Sequence, residues 1–465
     1  MPKLKIPLRY IIILVILVSF IPKSSRAYSV LTHEALVDAS WKKSILPLLR
    51  YKYPAAADSD LVKAHAYAYG GCLIADMGYF PFGNVYFTNL AHYVRSGDFV
   101  ENLISEAQNL NEYAFALGAL CHYMGDKYGH SLATNHVVPI VYPEMKEKFG
   151  PVVTYEEDHI SHSRVEISFD VLETARGNYA SQNYHDFIGF EVAKPVLERA
   201  FLKTYGQDIN TVFSNLDLTI STFRWSVKSL LPTITRTAWL LKKNDIKKLN
   251  PSANEHTFHY RMKRKAYYKE FGSSRQKPKF IERVLAVIVR IMPKIGPFKV
   301  LKYQPVGPEG EKLFVRSFDT AMVHYDEQLA KLHEGKIQLK DVDYDTGNPT
   351  FPGEYGLGDK TYNDMLDKLS DNKFIELTMP LQQNILAFYS KADTVQFALK
   401  YAGDWKKTSL ALQKLKAATP VEMDSLKNAK GIYYKLNEPV VQPINVKDGK
   451  IKLKPIPASE QKKVN

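Results

Sequence analysis

Apolar residues recur at three- and four-residue intervals through most of the first half of the chain, while strict alternation is scarce. The pattern predicts helices over residues 61–80, 98–109, 112–130, 187–205 and 212–243, punctuated by Gly, Pro and Asn. From residue 28 to about 250 this reads as one all-α unit of about 220 residues, a common size for a single domain. A short amphipathic segment follows at 280–292, "FIERVLAVIVRIM", with arginines at 283 and 290. Helical periodicity returns at 319–333 and 374–399, with a Gly- and Pro-rich loop expected between them. The chain therefore divides into 1–27, 28–250, a basic amphipathic segment 251–310, and a mostly helical C-terminal region 311–465 without an assigned role, whose last residues, from Gln442, are rich in Lys and Pro.

The first 27 residues change the picture of where such a protein works. Lys3, Lys5 and Arg9 precede an apolar run from Tyr10 to Ile21, and Ser25-Arg26-Ala27 supplies small residues at a cleavage position. The run is short for a bilayer span, so a signal peptide is expected, with cleavage near Ala27, Tyr28 as the first mature residue, and a secreted or periplasmic destination. Only Cys72 and Cys121 are present, which excludes a disulfide scaffold and leaves one bridge or two buried thiols. The formal charge is +13, and residues 261–302 carry thirteen Lys or Arg against two acids. A basic surface of that kind suits phospholipid headgroups or nucleic acid, or is a solvated face.

Nine of the thirteen histidines fall between His33 and His185. His122, Asp126 and His130 follow one another at four-residue steps, each of which turns a helix by only about 40°, so they share a face. "HSRVE" sets His162 and Glu166 at the same interval on a second segment. Imidazole nitrogen with carboxylate oxygen is the ligand set zinc takes in the absence of thiolate, and two helices presenting such pairs inward can build a multinuclear site in a bundle. His65 and His185 have no acid at a matching interval and read as ordinary polar or core residues. In "DVDYDTG", Asp341, Asp343 and Asp345 are spaced as in a calcium loop, but the glycine is seventh and position twelve lacks Glu, against the calcium pattern.

At these residues the stretch from Tyr28 to about Asn250 resembles the zinc-dependent phospholipase C family, which shares its all-helical fold with the S1/P1 nucleases. The likeness rests on "YSVLTH", on Asp76 in "LIADMG", on His92 in "NLAHYV", and on "HYMGDKYGH" and "HSRVE". It implies three zinc ions per chain: one on Asp76, His92, His122 and Asp126, a second on His130, His162 and Glu166, and a third on His33, the free amine and carbonyl of Tyr28, and a bridging Asp126. The amine can ligate only after cleavage frees it, so export would complete the site. Two departures are visible: the family usually begins with Trp, and its bridging Asp is commonly followed by the next histidine after six residues rather than four. His136 stays open beside His130, and His159 beside His162. The implied activity is phosphodiester hydrolysis, with a metal-bound hydroxide attacking phosphorus and Asp76 a candidate general base. A phospholipid is the favoured substrate, since no "QPLH"-like continuation follows Asp126. An S1/P1-type nuclease acting on single-stranded nucleic acid is an alternative, with Tyr79, Phe80, Phe82, Tyr86 and Phe87 as stacking surfaces, and a non-catalytic zinc-stabilised binding protein is another. Membrane-surface contact would fall to residues 261–302.

Overall fold

The helix Leu110–Gly129 is buried along nearly its whole surface, with only Asn111, Lys127 and Tyr128 partly open. A helix apolar all round must lie inside its fold, and this one is the axis of a computed structural model that describes residues 30–176, 178–180, 182–230, 302–392 and 402–423. Its start is fixed by Asn109, whose side chain accepts from the Glu112 N–H at 3.0 Å. We number the helices that matter below α1 (Val30–Ser40), α2 (Asp58–Gly71), α3 (Val85–Tyr93), α4 (Ser96–Glu106), α5 (Leu110–Gly129), α6 (His159–Arg176), α7 (Lys194–Tyr205), α8 (Gly307–His333) and α9 (Gly356–Asp371). The described residues are 73% helical and form no strand, in agreement with an all-α fold.

α2 runs along one side of α5 so closely that side chains are excluded from the contact. A Cβ on Gly118 would stand 2.0 Å from the Ala68 carbonyl oxygen, and one on Gly71 would stand 1.9 Å from that of Phe115. α1, α4 and α8 cover the rest of α5, and α7 lies against α4. α8 reaches across from the second half of the chain: the Tyr325 hydroxyl donates to the Leu117 carbonyl at 2.9 Å. It begins at Gly307, so it runs through residue 310, where the sequence pattern divides the chain.

Several boundaries differ from expectation for identifiable reasons. The helix expected over 61–80 ends at Gly71, and a separate 3₁₀ turn, Ile74–Tyr79, follows. The helix expected over 187–205 is interrupted at Gly189, which takes φ +85°, and restarts at α7 with a proline in its first turn. The loop expected between 333 and 374 contains α9, whose Tyr362, Met365, Leu366 and Leu369 are buried at helical intervals. Cys72 and Cys121 are both buried and free. The signal segment, Tyr28 and the basic stretch 261–301 lie outside the described residues. Among the described residues no helix is long and apolar enough to cross a membrane.

Candidate metal centre

Each element around α5 delivers one or two polar side chains to its C-terminal half. α5 itself contributes His122 and Asp126, one turn apart, with His122 Nε2 3.0 Å from Asp126 Oδ2. α1 contributes His33, whose Nε2 is 3.0 Å from Asp126 Oδ1 and whose ring stacks on His122 with centroids 4.5 Å apart. Gly125 makes room for it, since a Cβ there would lie 2.9 Å from His33 Nδ1. The 3₁₀ turn brings Asp76, and Thr88 pins that turn to α3 by donating to the Ala75 carbonyl (2.7 Å) and accepting from the Gly78 N–H (3.0 Å). α3, capped by the Asn84 side chain on the Tyr86 N–H, ends with His92 facing Asp76 (3.6 Å) and Asp126 (3.3 Å).

Just past Gly129 the coil widens into a single π-helical stretch, His130–Thr134, a local geometry frequent at functional sites. It opens on His130. Opposite, Asp158 caps α6 by accepting from the Ser161 N–H at 2.7 Å, and the first turns of α6 present His162 and Glu166. His162 Nε2 is 3.0 Å and His130 Nε2 is 3.6 Å from Glu166 Oε1.

Three groups of donor atoms result, each drawn within 4.8 Å: His33 with His122 and Asp126, Asp76 with His92 and His122, and His130 with His162 and Glu166. His136 does not join them, and His159 is solvent-exposed. All eight described residues of the expected ligand set are therefore brought together, and the ninth, Tyr28, lies outside the described residues. The spacing has a chemical meaning. Four ligands at 2.0–2.1 Å around a tetrahedral zinc stand roughly 3.3 Å from each other, and the opposed nitrogens and oxygens here stand 3.0–3.6 Å apart. Nε2 of His122 and His162, both ring nitrogens of His130, both Asp126 oxygens and Oδ1 of Asp345 are buried without a hydrogen bond of acceptable geometry, as expected of polar atoms gathered about a metal site.

The buried groups shift one another's protonation strongly. Burial lowers His122, but the Asp126 carboxylate more than offsets it and carries the imidazole up to about 9. Burial and the neighbouring His122 push His33 down to about 4. Asp126, although burial opposes its charge, is held well below the usual carboxylate range by His122 and His33. His130 is likewise lifted against burial, by Asp345 and Glu166.

Asp345 was not among the expected ligands, and it comes from a loop more than 200 residues away in sequence. Its Oδ1 lies 3.0 Å from His130 Nδ1 and 4.0 Å from His162 Nε2. An isolated antiparallel bridge between Val342 and Pro349 closes the base of the loop. Tyr344 lays its ring beside His92 and His122, at 5.1 and 5.9 Å between centroids, and its N–H donates to the His92 carbonyl. The three aspartates that resemble a calcium loop diverge: Asp341 accepts from the Asp98 N–H, Asp343 from the Asp345 N–H and the Thr346 hydroxyl, and Asp345 turns to His130. No sequence interval signals this contact, which depends on tertiary packing.

His65 and His185 do have acidic partners, supplied across helices by α1. His65 Nε2 is 3.1 Å from Asp38 Oδ1, which also accepts from the Tyr69 hydroxyl, and Trp41 stacks flat on His65 at 3.8 Å. His185 Nδ1 lies 3.3 Å from Glu34.

A helical bundle that gathers buried imidazoles and carboxylates in three adjoining groups presents the donor set of a metal-binding domain. Residues 32–215 match the family model of zinc-dependent phospholipase C, so the resemblance carried by the five sequence pieces is borne out over that segment. The match covers less than half of the chain and ends well before Asp345. No curated protein and no solved structure matches the chain.

Proposed function

We propose that the protein is a zinc-dependent phosphodiester hydrolase of the phospholipase C kind, with a phospholipid as substrate. The observation that carries this reading is the convergence of three His/carboxylate groups inside the segment that the zinc-dependent family model matches. Asp76, His92, His122 and Asp126 would hold one ion, and His130, His162 and Glu166 a second. His122 has a single Nε2 to offer and spends it on the first ion. His33 and Asp126 would therefore complete a third site with the amine of Tyr28, freed by removal of residues 1–27 on export. When bound, zinc makes water a competent nucleophile near neutral pH and neutralises charge on phosphoryl oxygens.

The chain's own groups define the rest. The carbonyls of Thr88 and Cys72 each lie 2.9 Å from the Nδ1 of His92 and His122, so these rings donate there and keep Nε2 for the ligand. Asp76, fully buried, would take the proton from the attacking water. A second reading has support from burial: every donor group is 5% exposed or less, as in a zinc-stabilised scaffold that turns nothing over. Hydrolysis of bis-p-nitrophenyl phosphate and phosphatidylcholine, with single-stranded DNA as the competing substrate, separates the readings. Turnover of the lipid that is abolished in His122→Ala supports the hydrolase, metal content without turnover supports the scaffold, and preference for DNA supports a nuclease.

A further inference from the structure

We propose that Asp345, supplied by the C-terminal region outside the family match, is a positioning residue of the metal centre: it takes the Nδ1 proton of His130 and so aims Nε2 at the ion shared with His162 and Glu166. The inference rests on the zinc reading above. Its argument is the orientation of the imidazoles. A metal-ligating histidine is held by a hydrogen bond from its other nitrogen, which fixes tautomer and ring plane. His92 and His122 find that partner in backbone carbonyls at 2.9 Å. His130 sits where the coil widens after Gly129, and the group facing its Nδ1 is Asp345 at 3.0 Å, while its Nε2 faces Glu166.

The carboxylate is itself anchored. Its second oxygen accepts from the Tyr155 N–H at 2.9 Å and from the Tyr355 hydroxyl, and the Asn135 side chain holds the Asp345 carbonyl at 2.8 Å. Asp345 is fully buried. Two donors thus converge on that carboxylate oxygen, which offsets part of the cost of burying its charge. Gly347, at φ +76°, completes the turn in a space where a Cβ would stand 3.0 Å from the Lys127 carbonyl. The ion on His130, His162 and Glu166 would thus depend on a segment that lies outside the family match.

The test is zinc binding by the full-length protein, read by competition with a chromophoric chelator. In Asp345→Ala one ion should weaken by about 10–100-fold while the others keep their affinity. Asp345→Asn, which preserves the volume and an acceptor, should weaken the same ion less, and it carries the test should the alanine variant fail to fold. Cobalt in place of zinc should change its visible bands at that one site in both variants. Equal affinity in all variants overturns the proposal, as does uniform weakening of every ion alongside a lower Tm, which would mark a purely structural role. A zinc-loaded crystal structure with an Asp345 oxygen at bonding distance from the ion, about 2.0–2.2 Å, also overturns it, in favour of direct ligation. A wild-type protein that binds no zinc at all would instead remove the reading on which the proposal stands.

Discussion

His33 and Glu34 are neighbours on α1, yet they enter two different polar interiors. His33 turns to Asp126 and His122, where nitrogens and oxygens from four elements form two groups that share His122. Glu34, with Asp38 one turn on, turns to His185, His65 and Tyr69, which divide between the two acids: His65 and Tyr69 on Asp38, His185 beside Glu34. The residue types are the same and both interiors are buried. What differs is convergence against pairing. In the paired cluster each imidazole stands beside one carboxylate, whereas the convergent one draws three or more donor atoms within reach of one another, the arrangement that a divalent ion takes. Glu34 shows the contrast in its titration, since burial and the nearby Asp38 push its carboxyl well above the usual range while Asp126 is held well below it.

The sharpest way to break this contrast is to truncate one histidine on each side. His122→Ala should lose at least one zinc and more than about a hundredfold in phosphodiester turnover, because even a partner one step removed from a metal is worth about 10–100-fold. His65→Ala should keep its full zinc content by elemental analysis. Loss of zinc from the second variant would end the distinction. Next in size is Gly118→Ala. Its methyl would meet the Ala68 carbonyl at 2.0 Å, and backbone cannot yield as a side chain can. A loss of about 2–3 kcal/mol in urea unfolding is expected, and a neutral result would contradict the close approach of α2 and α5. Asp38→Ala, which strips the shared partner from His65 and Tyr69, should cost about 1–3 kcal/mol with zinc content intact.

The smallest effect is one of pH. Burial and the nearby Asp98 raise the Asp341 carboxyl to about 6, above its ordinary value. The folded chain then holds the proton more tightly than the unfolded one, so this group removes stability as the pH climbs from about 4 through 6. Asp341→Asn should therefore gain about 1–2 kcal/mol over the wild type at pH 7.5, and the difference should vanish at pH 4. Paired urea melts at the two pH values measure it, and a gain that persists at pH 4 would contradict the sign.

What the sequence disclosed follows from the range of the interactions. His122 with Asp126, and His162 with Glu166, are legible because a four-residue step is a local property of a helix. His33, Asp76 and His92 have no such interval and were reached through the family resemblance. Asp345 meets His130 and Tyr155 across about 200 residues, for which periodicity carries no signal, and its other anchor, Tyr355, is ten residues away at no helical or strand interval. The same holds for His65 and His185, whose acids lie on another helix. Among the helices, α9 was hidden because Gly356 and Gly358 open it, although its apolar spacing is regular. The break after Gly71 was hidden because apolar periodicity continues into the 3₁₀ turn, although the Gly70-Gly71 pair weakens the helix at that point.

The central claim is convergence on divalent ions, and the most direct measurement is anomalous scattering at the zinc edge from crystals of the processed protein. Peaks are expected between Asp76, His92 and His122, between His130, His162 and Glu166, and beside His33 and Asp126, with none at Asp38 and His65. A zinc-soaked crystal with no anomalous signal among these side chains would contradict the account.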